Sequence, residues 1–226
     1  MKFTILSFVI FLFSIDCEGQ SQNSQFDSSL LLIENNTLDF NNLKNGDIIF
    51  QTSLSHQSKA IQLATHSIYS HCGILFIQNG IFFIIEAIQP LKSTPLTEWI
   101  KRGERQKIVI KRLKNAAEIL TENKIKNLHA EAVKFLNKDY DLTFEWSDDK
   151  IYCSELVWKV YHRTLGIKLG ELQTLKDLDL TNHTVKKLMH KRYGNQIVES
   201  NQLSSQNILN CQILKVGSKQ QKNTST

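Results

Sequence analysis

The chain has 226 residues, 41% of them hydrophobic, and its 27 Lys and Arg residues against 22 Asp and Glu residues give a formal net charge of +5. This length is sufficient for one domain with a substantial core. The small positive excess is compatible with an anionic envelope surface. Because no dense basic stripe is interleaved with aromatic residues, the composition argues against nucleic-acid binding.

Residues 1–19 are predicted to be a signal peptide or an N-terminal anchor. Lys2 precedes an apolar run, Phe3 to Phe13, that is short for a bilayer span. Cys17 and Gly19 place small residues before a candidate cleavage site, although Cys17 could instead carry a lipid. We therefore expect an exported protein of the periplasm or cell envelope, with an alternative of membrane association through the N-terminus.

The remaining chain is predicted to consist of a loosely ordered lead-in at 20–44, one domain at 45–195 and a partly disordered extension at 196–226. The predicted elements are strands at 48–50, 71–78, 81–88 and 106–113, helices at 55–65, 121–138, 153–165 and 181–190, a helical turn at 96–100 and an edge strand at 208–216.

Three cysteines lie beyond the signal region, at 72, 153 and 211. An odd number in an exported chain predicts at least one free thiol, unless pairing occurs between chains. The sequence contains no Cys-x-x-Cys pair, which would indicate a zinc site or a redox dithiol. We therefore predict neither a metal nor a cofactor.

Asn79-Gly80 separates two strand-like runs, and this dipeptide is the strongest short hairpin signal. A two-residue type I′ loop pairs Gln78 with Ile81, so counting outward places Glu86 opposite Gly73. Side chains alternate between faces, and directly opposed residues share a face. The register therefore predicts His71 and Glu86 as diagonal neighbours on one face, with Cys72 on the other face in the core. A slip of one residue would separate them.

Cys153 is predicted at the first turn of an amphipathic helix that Gly166 ends. Free N–H groups and the helix dipole favour a thiolate at this position. For an isolated cysteine, a simple packing role would be the better interpretation. The presence of His71 and Glu86 reverses that preference. A catalytic thiolate needs a base or ion-pair partner, here the His71 imidazole, and this ring works better when a third polar group, here Glu86, orients it.

Four segments resemble the YiiX/YebB-like permuted papain-like hydrolases of the NlpC-type superfamily: 46–53, 57–65, 69–73 and 152–161. The resemblance implies an α+β fold, a small antiparallel sheet or partial barrel with the cysteine helix packed against it. It also implies Cys153 as nucleophile, His71 as base and Glu86 as the orienting residue. Tyr69 or Tyr152 could add a donor near the oxyanion.

The leading hypothesis is an exported cysteine hydrolase that cleaves an amide bond through an acyl-enzyme on Cys153, with a cell-wall peptide as substrate. A second hypothesis replaces the peptide by a lipid ester or thioester, as in lecithin:retinol acyltransferase-like relatives. The third is a non-catalytic envelope-binding module.

The segment Asp139 to Lys150 mixes carboxylates with aromatic residues just before the cysteine helix. It could line a cleft for a cationic or amine-bearing substrate. The alternative is a solvated loop held in place by Phe144 and Trp146.

Overall fold

The computed structural model describes residues 26–32, 40–170, 172–194 and 208–209. The strands are β1 (Phe26–Leu32), β2 (Ile48–Gln51), β3 (His71–Gln78), β4 (Ile81–Glu86), β5 (Lys92–Pro95), β6 (Val109–Leu113), β7 (Asp139–Tyr140), β8 (Lys150–Ile151), β9 (Gln173–Thr174) and β10 (Ile208–Leu209). The helices are α1 (Ser58–Thr65), α2 (Leu96–Lys101), α3 (Ala116–Ile119), α4 (Glu122–Val133), α5 (Cys153–Leu165) and α6 (His183–Tyr193).

Six strands form one antiparallel sheet in the order β1-β6-β2-β3-β4-β5. Over the described residues the sheet is open, since β1 and β5 are its edges, so the strands do not form a closed barrel. The α+β class is confirmed. Strand β1 lies within the segment 20–44, for which composition predicted little order.

The two faces of the sheet are both apolar, and they pack against different elements. One face contributes Phe50, Cys72 and Ile74 to the core cluster that also contains residues of α4 and α5. The other face contributes Ile49 and Leu75 to a cluster that α2 completes. The near-continuous apolar strands follow from burial on both faces. Within the part of the chain that is described, no helix has the length and apolarity needed to traverse a bilayer.

The β3–β4 hairpin has the predicted register, with Gln78 opposite Ile81 and Gly73 opposite Glu86. Asn79 and Gly80 both have positive φ, 51° and 75°, as a type I′ turn requires. A Cβ atom on Gly73 would lie 2.5 Å from Ile84 Cγ2, so this position accepts only glycine without rearrangement of the sheet. The register is confirmed.

Helix α5 begins at Cys153 and ends before Gly166, whose φ of 71° suits the left-handed cap. All residues from Cys153 to Tyr161 are buried, including Glu155 and Lys159. Burial raises the pKa of Glu155 to about 8, although the Lys159 ammonium, 2.7 Å from Oε1, opposes this shift. Lys159 also lies 2.8 Å from Asp148. Through these two contacts Lys159 holds the first turn of the helix that carries the thiol.

Lys159→Met is expected to lower the free energy of unfolding by about 3 kcal/mol. The change leaves the buried Glu155 carboxyl, the Ser147 carbonyl and the Asp148 carboxylate without the ammonium that contacts all three. Urea denaturation followed by circular dichroism measures the loss. Lys126→Met is the matched control, since Lys126 and Glu122 form an exposed pair at 2.8 Å and such pairs contribute at most about 1 kcal/mol. Equal losses in the two variants would contradict the structural role of Lys159.

Candidate active site

Four neighbouring strands place polar side chains on one face of the sheet, at the end where β3 begins. Gln51 is the direct partner of His71, and Glu86 is the direct partner of Gly73 two residues along β3. Thr94 lies on β5 beside this group. Because opposed residues share a face, all four side chains project to the same side. All four are buried at the site.

His71 is held by a buried carboxylate. Its Nε2 lies 2.6 Å from Oε2 of Glu86, whose side chain is fully buried. Oε1 of Glu86 accepts hydrogen bonds from Thr94 Oγ1 at 2.6 Å and from Arg102 Nη2. Burial opposes ionisation of Glu86, but its bonds with His71, Thr94 and Arg102 outweigh burial and lower its pKa. Glu86 is therefore anionic and fixes the orientation of the imidazole ring.

Cys153 and His71 are close enough that hydrogen bonding and charge between them shift the pKa of each. Since Nε2 is engaged by Glu86, Nδ1 is the ring nitrogen available to the sulfur. Burial alone would lower the pKa of His71, but the bonds to Cys153 and Glu86 raise it to about 9. Hydrogen bonds from Cys72 and His71 outweigh burial and hold the pKa of Cys153 well below its ordinary value. The pair therefore favours thiolate and imidazolium at neutral pH.

Cys72 is a member of the site that strand alternation assigned only to the core. Its side chain is in the core cluster, as predicted, but it also donates a hydrogen bond to Cys153. Burial and the neighbouring thiolate raise the pKa of Cys72, so it stays a neutral donor. The alternation correctly separated Cys72 from His71. It could not reveal that α5 brings Cys153 to the edge where both can reach it.

Cys72→Ala is expected to raise the pKa of Cys153, because the thiolate loses a hydrogen-bond donor. A bond to a charged acceptor is worth about 1.5–3 kcal/mol, so alkylation by iodoacetamide at pH 6 should fall about tenfold and recover at higher pH. Mass spectrometry assigns the alkylated residue. Cys72→Ser retains a donor and should move the midpoint of the pH profile less. Superimposable profiles for the wild type and Cys72→Ala would contradict this role.

A cavity of about 1010 Å³ opens beside the imidazole, and His71 and Gln51 line it. Cys153 is 4% exposed, and it neighbours His71 without being one of the lining residues itself. Within the part of the chain that the structure describes, the charged side chains of the lining are all basic: Arg102, Lys150, Lys191 and Arg192. The cavity can therefore receive a substrate of peptide size and present its carbonyl carbon to the site.

The segment 139–150 contributes Tyr140, Leu142, Thr143 and Lys150 to this cavity, but none of its carboxylates is among the lining residues. The expectation of an acidic cleft for a cationic substrate is wrong. Asp148 instead pairs with Arg163 at 2.8 Å, away from the lining. The alternative is confirmed, since Phe144 is buried and the Trp146 ring packs against the core.

Tyr69 and Tyr152, the predicted oxyanion donors, are both buried, and neither is among the residues that line the cavity. Tyr69 packs against Phe50, with ring centroids 6.0 Å apart, and Tyr152 packs against Phe144 at 5.1 Å. The structure thus does not bring them to the substrate cavity. Gln51 is better placed, because it is among the lining residues and is the direct strand partner of His71.

Gln51, Thr94 and Arg102 were not predicted from the sequence to belong to the site. Each reaches the site through a contact that the Asn79-Gly80 hairpin does not determine. Pairing of β2 with β3 brings Gln51, pairing of β4 with β5 brings Thr94, and the end of α2 brings Arg102. For Gln51 the sequence did offer a signal, because a polar residue at the end of an apolar strand can belong to a site. For Arg102 it offered none, because an exposed arginine after a short helix is common in proteins.

Comparison with known proteins matches residues 42–215 to the family described as permuted papain-like amidase enzymes, YaeF/YiiX, C92 family. A relative from Escherichia coli strain K12, "Uncharacterized protein YiiX", is 48% identical over 152 residues, which are 67% of this chain and 74% of the relative. The crystal structure of "metalloprotein yiiX" from Escherichia coli O157:H7 is similar with a TM-score of 0.65 and 49% identity, covering 68% of this chain and 84% of that one. The chain therefore belongs to the YaeF/YiiX family of permuted papain-like amidases, which are cysteine hydrolases.

Proposed function

We propose that the protein is an exported cysteine hydrolase that cleaves an amide bond in a peptidoglycan stem or cross-link peptide, through an acyl-enzyme on Cys153. The observation that carries the proposal is the buried His71 ring, 2.6 Å from Glu86 on one side and hydrogen-bonded to Cys153 on the other. The family supports amide hydrolysis. The apolar run at residues 3–13 supports export.

In the first half-reaction, the Cys153 thiolate attacks the carbonyl carbon and forms a C–S bond. The backbone N–H groups at the start of α5, together with the Gln51 side chain, donate to the oxyanion. The C–N bond then breaks, and the imidazolium of His71 gives its proton to the departing amine. Glu86 keeps the ring oriented and stabilises its positive charge.

In the second half-reaction, neutral His71 accepts a proton from water, and the hydroxide attacks the thioester carbonyl. The C–S bond breaks, the acid product leaves, and the thiolate–imidazolium pair is restored. The same two residues therefore serve both steps, with His71 changing from acid to base.

The related Escherichia coli protein is called a metalloprotein, which raises the question of a metal in this chain. Over residues 40–170 and 172–194, no group of three or more His, Cys, Asp or Glu side chains could hold an ion. His71 and Glu86 are occupied by each other. The described residues therefore do not fit a metal centre, and the mechanism includes no metal step.

A lipid ester or thioester is the second candidate substrate. The observation that favours it is the exposure of two leucines in the cavity wall, since Leu54 is 70% exposed and Leu142 is 54% exposed. Solvent-exposed apolar side chains in the wall of a cavity can contact an acyl chain.

Incubation with matched amide and ester substrates, including muropeptides and fatty-acyl esters, tests the proposal. Mass spectrometry of the intact protein should detect an acyl adduct on Cys153 with peptide amides, and Cys153→Ala should form none. Adducts with fatty-acyl esters alone would establish the lipid candidate instead. Absence of any adduct, with an iodoacetamide-resistant Cys153, would overturn both.

Export has a separate test. Fractionation of cells that express the full chain should place the protein in the periplasm or envelope fraction. Recovery in the cytoplasmic fraction would overturn the export proposal and leave the chemistry unaffected.

A further inference from the structure

The charges of the cavity lining are one-sided. Lys150, Lys191 and Arg192 line it together with Arg102, and no aspartate or glutamate of the described ranges does. Arg102 is paired with the buried Glu86. Among the described residues, no carboxylate forms an ion pair with the other three cations. Lys150 and Lys191 therefore give the cavity wall a positive charge, whereas the charge of the buried Asp141 acts on Arg192 from within the fold.

Arg192 is held in place rather than free in solvent. Its Nη2 donates to Oε1 of Gln57, and its guanidinium lies 5.0 Å from the centroid of the Phe144 ring. Its Nη1 is buried and has no hydrogen-bond partner among the described residues. A buried donor without a partner is costly, and an anion at this position would remove that cost.

Arg192 is connected to the candidate nucleophile through Tyr140. Gln57, which accepts from Arg192, donates from Nε2 to the Tyr140 hydroxyl at 3.2 Å. The charges of both Cys153 and Arg192 act on Tyr140, which places this phenol near both. The cationic wall is thus close enough to the reacting sulfur to contact part of the same substrate.

We propose that the cavity recognises a carboxylate on the amide substrate, through Arg192, Lys150 and Lys191. This inference rests on the proposed amide hydrolysis, because a free carboxylate is the anion that a peptide commonly carries. The fork of Arg192 matches the two oxygens of a carboxylate, and the two exposed lysines add long-range attraction. The site selects peptide fragments with a free carboxylate over their carboxamide counterparts.

Alkylation of Cys153 tests the charge without requiring hydrolysis. Iodoacetate carries a carboxylate and iodoacetamide does not, and with both reagents an S–C bond forms as the C–I bond breaks and iodide leaves. In Lys150→Gln/Lys191→Gln, the ratio of the iodoacetate rate to the iodoacetamide rate should fall about fivefold, which corresponds to two charges acting at several ångströms near water. The iodoacetamide rate should change less than twofold.

Lys124→Gln/Lys126→Gln is the matched control, because it removes the same charge from exposed positions of α4 outside the cavity. Its ratio should equal that of the wild type. Added salt at about 0.5 M should reduce the wild-type ratio toward that of the cavity variant, because salt screens exposed charges. A cavity variant with the wild-type ratio, or an equal fall in the control, would overturn the proposal.

Matched substrates test Arg192. For an N-acyl dipeptide with a free terminal carboxylate, Arg192→Gln should raise KM about tenfold, and for the carboxamide it should leave KM unchanged. For the carboxylate substrate, the KM of Arg192→Lys, which keeps the charge, should lie between the KM values of the wild type and Arg192→Gln. Equal effects on both substrates, or preference for a phosphate-bearing lipid amide, would overturn carboxylate recognition. Failure of all hydrolysis would contradict the proposed function, whereas the alkylation ratio would still decide the charge of the cavity.

Discussion

Cys153→Ser is expected to lower kcat/KM for the amide substrate by at least about 10⁴-fold, comparable to removal of a nucleophile from a hydrolase triad. Serine is nearly isosteric, but its hydroxyl does not ionise near neutral pH and so cannot replace the thiolate that His71 and Cys72 stabilise. The measurement is steady-state hydrolysis of the substrate that forms the adduct on Cys153.

Substrate binding should survive Cys153→Ser, because the cavity lining does not include the sulfur. The dissociation constant, measured by calorimetry with the inactive variant, should therefore lie within about threefold of the wild-type value. The melting temperature should also be close to that of the wild type, since the change removes no methylene from the core. A variant that binds and still turns over at a rate near wild type would eliminate the covalent mechanism.

Glu86→Gln is expected to lower kcat/KM by roughly 10²-fold or more and to narrow its pH profile. In the wild type, activity should rise as pH increases through the lowered pKa of Cys153, where the thiolate forms. It should fall as pH passes about 9, where His71 loses the proton that it gives to the leaving amine. Without the Glu86 carboxylate the pKa of His71 decreases, so the alkaline limb should move to lower pH.

The pH dependence of kcat/KM separates this role from simple packing. Glu98→Gln makes the same chemical change on the exposed surface of α2 and should leave both the rate and the alkaline limb unchanged. A fall in rate for Glu86→Gln without movement of the alkaline limb would mean that Glu86 supports the sheet but does not set the proton affinity of His71.

The local part of the site was predictable because it depends on short-range rules. Asn79-Gly80 determines a two-residue loop, and counting from that loop places Glu86 opposite Gly73. The same counting puts His71 and Glu86 on one face, and their contact at 2.6 Å follows from that face. The spacing of apolar residues after Cys153 likewise predicted a helix that begins at this residue and ends before Gly166.

Contacts between elements far apart in the chain were not predictable in the same way. Gln51 lies opposite His71 only because β2 pairs with β3, and Arg102 reaches Glu86 only because α2 packs beside β4. Neither pairing leaves a periodic signal in one sequence. The meeting of Cys72 with Cys153 is of the same kind, since it depends on where α5 lies across the sheet.

The sequence by itself determined the hairpin register, the position of the thiol at a helix start and the pairing of His71 with Glu86, because periods of 2 and 3.6 residues act over a few neighbouring positions. Tertiary structure alone decided the sign of the cavity charge. Asp148 of the segment 139–150 pairs with Arg163 outside the cavity, while Lys191 and Arg192 reach the cavity from α6, a helix that follows later in the chain. Charge in a cavity is a sum over elements that only packing brings together.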